Sequence, residues 1–333
     1  MLKNILITGG AGYVGTMLAH RLVAEKKKVI IYDTFWYGEA KTLFEDSLPK
    51  VTIVKADIRD SEKFRNAIKN NKVDCVIHLA CVSNDPSYEL NPNLGKSINF
   101  DCFEHLVKIS KDNGVKRFIY ASSSSVYGVK KEEQVTENLS LEPLTDYSKY
   151  KALCEEILLK YIDKNFVGMV VRPATVCGYS KRLRLDLSVN ILTTHAYFKN
   201  KIVIFGGEQY RPNLNILDMI EFYIKSLEYE STLINGEIFN VGYENLKIKD
   251  IGILVKKIVK KDFETETITS NDNRSYRITS KKIEDKLGFK SKNSVEDAIR
   301  SLYENFENQN IKNPFDNELF FNVQVMKKLY EQK

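Results

Sequence analysis

The first half of the chain alternates short apolar runs with amphipathic stretches. The apolar runs predict strands at Ile5–Thr8, Val29–Tyr32, Val51–Lys55, Val73–Leu79, Arg117–Ala121 and Phe166–Arg172. Between them, apolar residues at three- and four-residue spacing predict helices, clearest at Thr16–Ala24, Ser61–Lys69, Leu94–Asn113 and Asp146–Ile162. Such alternation is typical of a doubly wound α/β fold, a parallel sheet with helices on both faces.

Beyond Arg172 this rhythm loosens. The pattern predicts helices Leu185–Phe198, Ile248–Lys260, Ser280–Leu287 and Ser294–Glu307, with short strands near Ile202–Phe205 and Glu237–Val241. We therefore expect a first domain at residues 1–174 and a smaller, interleaved α/β domain at residues 175–333. Segments within residues 213–241, namely Asn213–Leu217 and Glu237–Val241, are expected to return to the sheet of the first domain.

Composition narrows the classes of function. The 333 residues are 43% apolar, and 50 basic against 44 acidic side chains leave a net charge of +6. The lysine runs have no interleaved aromatic residues, so nucleic-acid binding is not expected. Five cysteines without a CxxC pair and four histidines without an HxxxH spacing predict neither a metal site nor disulfides. With no signal peptide and no apolar run of about 18 residues, a cytoplasmic protein without membrane spans is expected.

A glycine-rich turn follows the first predicted strand and opens the first predicted helix. Its sequence is Thr8-Gly9-Gly10-Ala11-Gly12-Tyr13-Val14-Gly15. Gly9 would permit the tight turn, Gly12 would let the backbone approach a diphosphate, and Gly15 would let helix and strand pack closely. Glycine turns also simply join strands to helices. The strand before it and the helix after it nevertheless favour a Rossmann-type dinucleotide site.

Two strand-end carboxylates extend this hypothesis. Asp33 ends the second strand, where its carboxylate could accept both hydroxyls of an adenosine ribose and would repel a 2′-phosphate. No arginine lies nearby in the sequence, so NAD is favoured over NADP. Asp57 and Ile58 close the third strand, where they could meet the adenine. For both carboxylates, an ordinary role in a turn is the alternative.

Tyr147 and Lys151 are the candidates for chemistry. They lie four residues apart at the start of a predicted helix, so both face one side of it. A free tyrosine has a pKa of about 10, and lowering it to about 7 requires roughly 4 kcal/mol, which a nearby ammonium and a nicotinamide cation could supply. The same spacing occurs on surface helices. A serine-rich strand end before the pair favours the catalytic hypothesis over a surface helix. Its sequence is Ala121-Ser122-Ser123-Ser124-Ser125-Val126-Tyr127-Gly128.

In combination, these pieces resemble the extended short-chain dehydrogenases, and within them the NAD-dependent sugar-nucleotide epimerases and dehydratases. His78-Leu79-Ala80 and Arg172-Pro173-Ala174 complete the match, in the family's order. The resemblance implies that Tyr147 is the general base, that Lys151 holds the nicotinamide ribose, and that Ser123 hydrogen-bonds the same sugar oxygen. It also implies a cofactor site that includes Gly9, Gly12, Tyr13, Val14, Gly15, Asp33, Asp57, Ile58, Leu79, Ala80, Lys151 and Pro173.

The second half resembles the family more loosely. Arg211 lies in the stretch like the family's loop before a returning strand, where an arginine meets the substrate diphosphate. Arg274 is a second candidate for this role, although either arginine could equally form a surface ion pair. Asn190 is a candidate for contact with phosphate or sugar.

Departures from the family narrow the reaction. Dehydratases of this family carry an Asp-Glu pair where this chain has Ser124 and Ser125, which cannot transfer the protons of dehydration. Oxidation at C4 of a GDP- or UDP-linked hexose or heptose is therefore expected, by a 4-dehydrogenase or a 4-epimerase of bacterial surface polysaccharide synthesis. A weaker likeness to GDP-heptose 4-dehydrogenases points the same way. A non-catalytic NAD(H) sensor or scaffold is the alternative. The family also implies a homodimer through Leu94–Asn113 and Asp146–Ile162.

Overall fold

The computed structural model describes residues 2–270 and 275–331. In these residues the strands β1 to β12 are Asn4–Thr8, Lys28–Asp33, Val51–Lys55, Cys75–His78, Arg117–Ala121, Val167–Pro173, Thr175–Cys177, Lys201–Phe205, Tyr210–Asn215, Glu237–Val241, Glu244–Lys247 and Glu264–Ile268. The helices α1 to α14 are Tyr13–Ala24, Ala40–Leu43, Ser61–Asn71, Asp85–Glu89, Pro92–Lys96, Phe103–Asp112, Asp146–Tyr161, Ser188–Lys199, Ile216–Ser226, Ser231–Ile234, Ile248–Ile258, Lys281–Leu287, Val295–Glu307 and Asn322–Glu331.

Seven parallel strands form the central sheet, in the order β3-β2-β1-β4-β5-β6-β10. The residues Ile5, Leu6 and Ile7 of β1 are fully buried, because helices cover both faces of the sheet. The predicted doubly wound, Rossmann-type sheet is therefore confirmed. The strand order reverses between β1 and β4, and folds of this kind bind ligands outside the carboxyl ends of the strands at that point.

Two small sheets lie outside the central one, β11-β9-β7 and β12-β8. The expected return of Glu237–Val241 to the central sheet is observed, since it pairs with β6 as β10. The expected return of Asn213–Leu217 is wrong. Because β10 takes the place beside β6, residues Tyr210–Asn215 pair instead with β7 and β11. Asn215 then ends the strand by capping α9, its side chain accepting a hydrogen bond from the Leu217 N–H at 3.0 Å.

The helix predicted over Leu94–Asn113 is interrupted. It consists of α5, a π-helical turn at Ser97–Asp101, and α6. The widened turn contains Asn99, whose side chain accepts a hydrogen bond from the Val82 N–H at 2.8 Å and donates one to the Val82 carbonyl at 3.0 Å. This tertiary contact fixes the loop after β4, and no helical periodicity could have predicted it.

Helix α7 is fastened to the sheet by a buried ion pair between Glu155 and Arg172. Both side chains are 3% exposed, and the Arg172 Nη2 lies 2.6 Å from the Glu155 Oε2. Arg172 also donates to the Tyr127 hydroxyl at 2.8 Å, which in turn donates to the Asn240 Oδ1 at 2.7 Å. The Ser122 hydroxyl donates to Glu155. The network thus joins α7 to β6, β10 and the segment that follows β5.

We expect Glu155→Ala to lower the free energy of unfolding by about 3–5 kcal/mol, because it leaves Arg172 buried without its anion. Denaturant unfolding measures this loss. Glu25→Ala is the matched control, since its partner Arg21 is 47% exposed and such pairs contribute at most about 1 kcal/mol. Equal, small losses in the two variants would show that the buried pair does not fasten α7.

Candidate active site

A cavity of about 650 Å³ opens at the carboxyl ends of the central strands. This volume lies within the range of about 300–1,000 Å³ that is usual for small-molecule sites. The cavity brings together most of the residues expected from the sequence: Gly9, Gly12, Tyr13, Val14, Gly15, Asp33, Asp57, Ile58, Leu79, Ala80, Ser123, Tyr147, Lys151, Pro173 and Arg211.

The glycine-rich turn forms one wall of the cavity. Gly9 has φ +68°, and a Cβ there would lie 2.7 Å from the Ala80 nitrogen. A Cβ on Gly15 would lie 2.4 Å from the Gly9 carbonyl oxygen, whereas one on Gly12 would meet only that oxygen, at 3.1 Å. No side chain caps α1, so its first N–H groups suit an anion. The turn therefore fits a dinucleotide diphosphate.

Asp33 lies at the end of β2 with its carboxylate facing the cavity. Its two oxygens accept hydrogen bonds from the Ala11 N–H at 2.9 Å and the Phe35 N–H at 2.7 Å. Burial raises the pKa of Asp33, while these N–H groups and the charge of Arg182 act in the opposite direction. No arginine is close to Asp33 in the sequence, but the fold brings Arg182 close to it.

Asp57 also lines the cavity but has protein partners. Its carboxylate accepts hydrogen bonds from the Arg59 backbone N–H at 2.9 Å and from the Arg59 Nη2 at 2.6 Å. The turn role considered from the sequence is therefore present in the structure. Ile58, Leu79 and Pro173 contribute apolar parts of the same cavity lining.

The three candidates for catalysis meet at one place in the cavity. Tyr147 and Lys151 lie one turn apart on α7, whose start is capped by Thr145. The Lys151 Nζ donates to the Ala121 carbonyl at 2.6 Å and lies 5.9 Å from the centre of the Tyr147 ring. The Ser123 side chain lies close enough to the Tyr147 phenol to lower its pKa. Tyrosine, lysine and serine are thus positioned together by α7 and the end of β5.

Burial dominates the titration of Tyr147. It raises the pKa of the phenol well above the ordinary value of 10, and Cys81 and Asp85 raise it further. The charge of Arg184 and the neighbouring Ser123 side chain lower it. The Lys151 ammonium is directed at the Ala121 carbonyl instead. Ionisation of Tyr147 at neutral pH therefore requires further positive charge beside its ring.

The two residues after Ser123 are serines, so these positions have hydroxyl groups and no carboxyl group. The Ser125 hydroxyl lies 2.9 Å from that of Ser123, and the Ser124 hydroxyl lies 3.2 Å from that of Tyr276. Ser123 also caps the short 3₁₀ turn Ser124–Tyr127 by accepting the Ser125 N–H at 3.1 Å. These side chains order the strand end but cannot exchange protons as carboxylates do.

Asn190 has a different place from the one expected. It is fully buried and does not line the cavity. Its amide accepts from the Gly178 N–H at 2.9 Å and donates to the Arg184 carbonyl at 2.9 Å and the Tyr13 hydroxyl at 3.2 Å. Asn190 therefore joins the segment after β7 to the start of α1. Both polar atoms of its amide have partners within the protein.

Of the two arginines expected to contact the substrate, the structure describes only Arg211. Arg211 lines the cavity, and its Nη1 donates to the Tyr210 carbonyl at 3.1 Å. Arg274 lies outside the described residues.

Arg182, Arg184 and Asn322 also line the cavity and were not expected from the sequence. The Arg182 guanidinium lies 4.2 Å from the centre of the Tyr37 ring and donates to the Asn322 side chain. Two arginines one residue apart in Arg182-Leu183-Arg184, shortly after a buried strand, were the only local signal. Asn322 had none, because only the fold brings the start of α14 to the cavity.

In residues 2–270 and 275–331, no three His, Cys, Asp or Glu side chains are placed to hold a metal ion. All five cysteines are free thiols. Among the described helices, none has the length and apolarity needed to cross a membrane.

The glycine-rich wall, the strand-end carboxylate and the Tyr-Lys-Ser cluster define an α/β oxidoreductase-type site. The chain belongs to the NAD dependent epimerase/dehydratase family, whose model matches residues 5–242. This membership confirms the resemblance drawn from the sequence and the prediction of NAD as the cofactor.

Individual relatives match different lengths of the chain. The UDP-glucose 4-epimerase of Lactobacillus helveticus is 26% identical over 323 residues, which cover 90% of this chain and 96% of the relative. The D-erythronate dehydrogenase of Haemophilus influenzae is 31% identical over 176 residues, 52% of this chain and 55% of the relative. Among solved structures, the UDP-glucose 4-epimerase of Thermotoga maritima with UDP-glucose has a TM-score of 0.80 at 24% identity, covering 92% of this chain and all of that one.

Asp33→Ser should weaken NAD binding by roughly 10- to 100-fold, the loss typical of a charge-assisted hydrogen bond. It should weaken NADP binding much less or strengthen it, because the repelling carboxylate is gone and Arg182 remains. Titration of both nucleotides measures the ratio of their dissociation constants. The exposed Asp46→Asn is the control, and a ratio equal to that of the wild type would contradict the role given to Asp33.

Proposed function

We propose that this protein oxidises the C4 hydroxyl of a UDP- or GDP-linked hexose or heptose with NAD, as a 4-dehydrogenase or a 4-epimerase. The observation that carries the proposal is the meeting of Tyr147, Lys151 and Ser123 in the cavity that the glycine-rich turn also lines. Residues 1–174 would chiefly hold NAD, and residues 175–333 would chiefly hold the sugar nucleotide.

Each catalytic side chain has a role that follows from its position. The Tyr147 phenolate takes the proton of the sugar hydroxyl, and Ser123, which lies beside that phenol, donates a hydrogen bond to the same sugar oxygen. Lys151 holds ribose hydroxyls and adds positive charge near the Tyr147 ring. NAD, when bound, accepts hydride from the sugar carbon and supplies a cationic ring that favours the phenolate.

Two observations support oxidation without dehydration. Ser124 and Ser125 stand where a dehydratase of this family has carboxyl groups, and their hydroxyls are paired with Tyr276 and Ser123. The relatives similar over most of their length include UDP-glucose 4-epimerases. An epimerase would return the hydride to the other face of the ketone, whereas a dehydrogenase would release the ketone.

Assembly and pathway are further parts of the proposal. A homodimer through α6 and α7 is proposed from the resemblance to the family, and light scattering tests it. A place in bacterial surface polysaccharide synthesis is tested by comparing the polysaccharide of strains with and without the gene.

Wild type and Tyr147→Phe should be assayed on a panel of UDP- and GDP-sugars for 4-keto or C4-epimerised products. We expect turnover by the wild type and a loss of about 10²- to 10⁴-fold in Tyr147→Phe, with NAD binding retained. Tyr150→Phe is the control on the same helix, since this ring stacks 5.0 Å from that of Phe100.

The products then separate the two subtypes. NADH formed together with a 4-keto sugar identifies a dehydrogenase, and interconversion of two sugars without net NADH identifies an epimerase. If the wild type and Tyr147→Phe are equally inert on the panel while both bind NAD, the enzymatic proposal fails.

A further inference from the structure

Two arginines line the same cavity as the glycine-rich turn. Arg182 and Arg184 lie on the segment between β7 and α8, and both line the cavity. This segment is held on the turn by Tyr13, whose hydroxyl donates to the Gly178 carbonyl at 2.6 Å, while the Ser180 hydroxyl donates to the Tyr13 carbonyl at 2.9 Å. The two walls of the cavity are thus fixed relative to each other.

Arg182 is a buried cation whose hydrogen bonds in the described chain go to neutral oxygens. It is 3% exposed and donates to the Asn322 side chain and, at 3.5 Å, to the Leu183 carbonyl. Its Nε is buried without a hydrogen-bond partner among the described residues. Burial lowers the pKa of the guanidinium to about 10. The carboxylates of Asp186 and Asp33 act on it only through their charge, so an anion in direct contact would stabilise the buried guanidinium further.

The surroundings of Arg182 indicate which anion fits. Arg182 and Arg184 both lower the pKa of Tyr13, the first residue of α1, so both charges act at the start of that helix. An uncapped helix N-terminus and two guanidinium groups on the same cavity together have the donors that a diphosphate requires. Arg182 also acts on Asp33, which places it toward the end of the cavity where β2 finishes.

We propose that Arg182, with Arg184 beside it, binds the diphosphate of NAD from the side opposite the glycine-rich turn and so retains the cofactor in the protein. Asn322 is a positioning residue for this contact. It accepts the hydrogen bond of Arg182, its own Nδ2 donates to the Ser83 hydroxyl at 2.9 Å, and its N–H donates to Asp186 at 2.7 Å. The start of α14 thereby holds the cation over the cavity.

The test uses full-length protein freed of bound nucleotide, and calorimetric titration with NAD, ADP-ribose, adenosine, UDP and GDP. Arg182→Met should weaken NAD and ADP-ribose alike, by roughly 10- to 100-fold, because both carry the diphosphate. Adenosine, UDP and GDP should bind as they do to the wild type. Arg182→Lys keeps the positive charge but lacks the paired N–H donors of the guanidinium, so it should give an intermediate loss of affinity. Lys181→Met is the matched control, because Lys181 is paired with the exposed Asp46 at 2.7 Å.

Thermal unfolding provides a second readout that does not depend on turnover. Without nucleotide, Arg182→Met should be at least as stable as the wild type, since it removes a buried cation, but it should gain less stability from added ADP-ribose. A less stable variant with unchanged affinity for ADP-ribose would make Arg182 structural. A selective loss of UDP or GDP binding would assign it to the substrate, and either result overturns the proposal. If Arg182→Met does not fold, the test rests on Arg182→Lys. An unchanged affinity of Arg182→Lys for ADP-ribose would then overturn the proposal.

Discussion

The buried ion pair between Glu155 and Arg172 is the constraint on which the site depends. Helix α7 carries Tyr147 and Lys151, and its position on the sheet is fixed where the Glu155 carboxylate meets the guanidinium from β6. Two charges out of water require close geometry and further hydrogen bonds, which the hydroxyls of Ser122 and Tyr127 supply. Stability and the placement of the helix that carries Tyr147 and Lys151 therefore rest on the same contacts.

The serine-rich strand end shows how closely structure and chemistry are combined. Ser122 completes the buried ion pair, Ser123 reaches Tyr147, and Ser124 meets Tyr276. Ser125 is bonded to Ser123 and closes the short turn. Four identical side chains thus have four different surroundings. A carboxyl group in place of Ser124 or Ser125 would enter a network that hydroxyl groups now satisfy.

Local signals were enough to predict much of the fold and the site. The alternation of strands and helices, the glycine turn with Gly9 at φ +68°, and the four-residue step from Tyr147 to Lys151 are all determined by neighbours in the sequence. The π-helical turn around Asn99 was missed because its cause is a bond to Val82. Arg182 was missed for the same reason, since only the fold brings it close to Asp33.

The cavity disfavours both a negative charge on Tyr147 and a positive charge on Arg182. Burial raises the pKa of Tyr147 and lowers the pKa of Arg182 to about 10, so each group is driven toward its neutral form. An anion near Arg182 and a cation near Tyr147 would reverse both effects. Oxidised NAD carries both charges, a diphosphate and a nicotinamide ring, and a single ligand can therefore complement both positions. Reduction removes only the positive charge of the nicotinamide ring, so it would weaken the support for the phenolate while the diphosphate would continue to hold the cofactor in place.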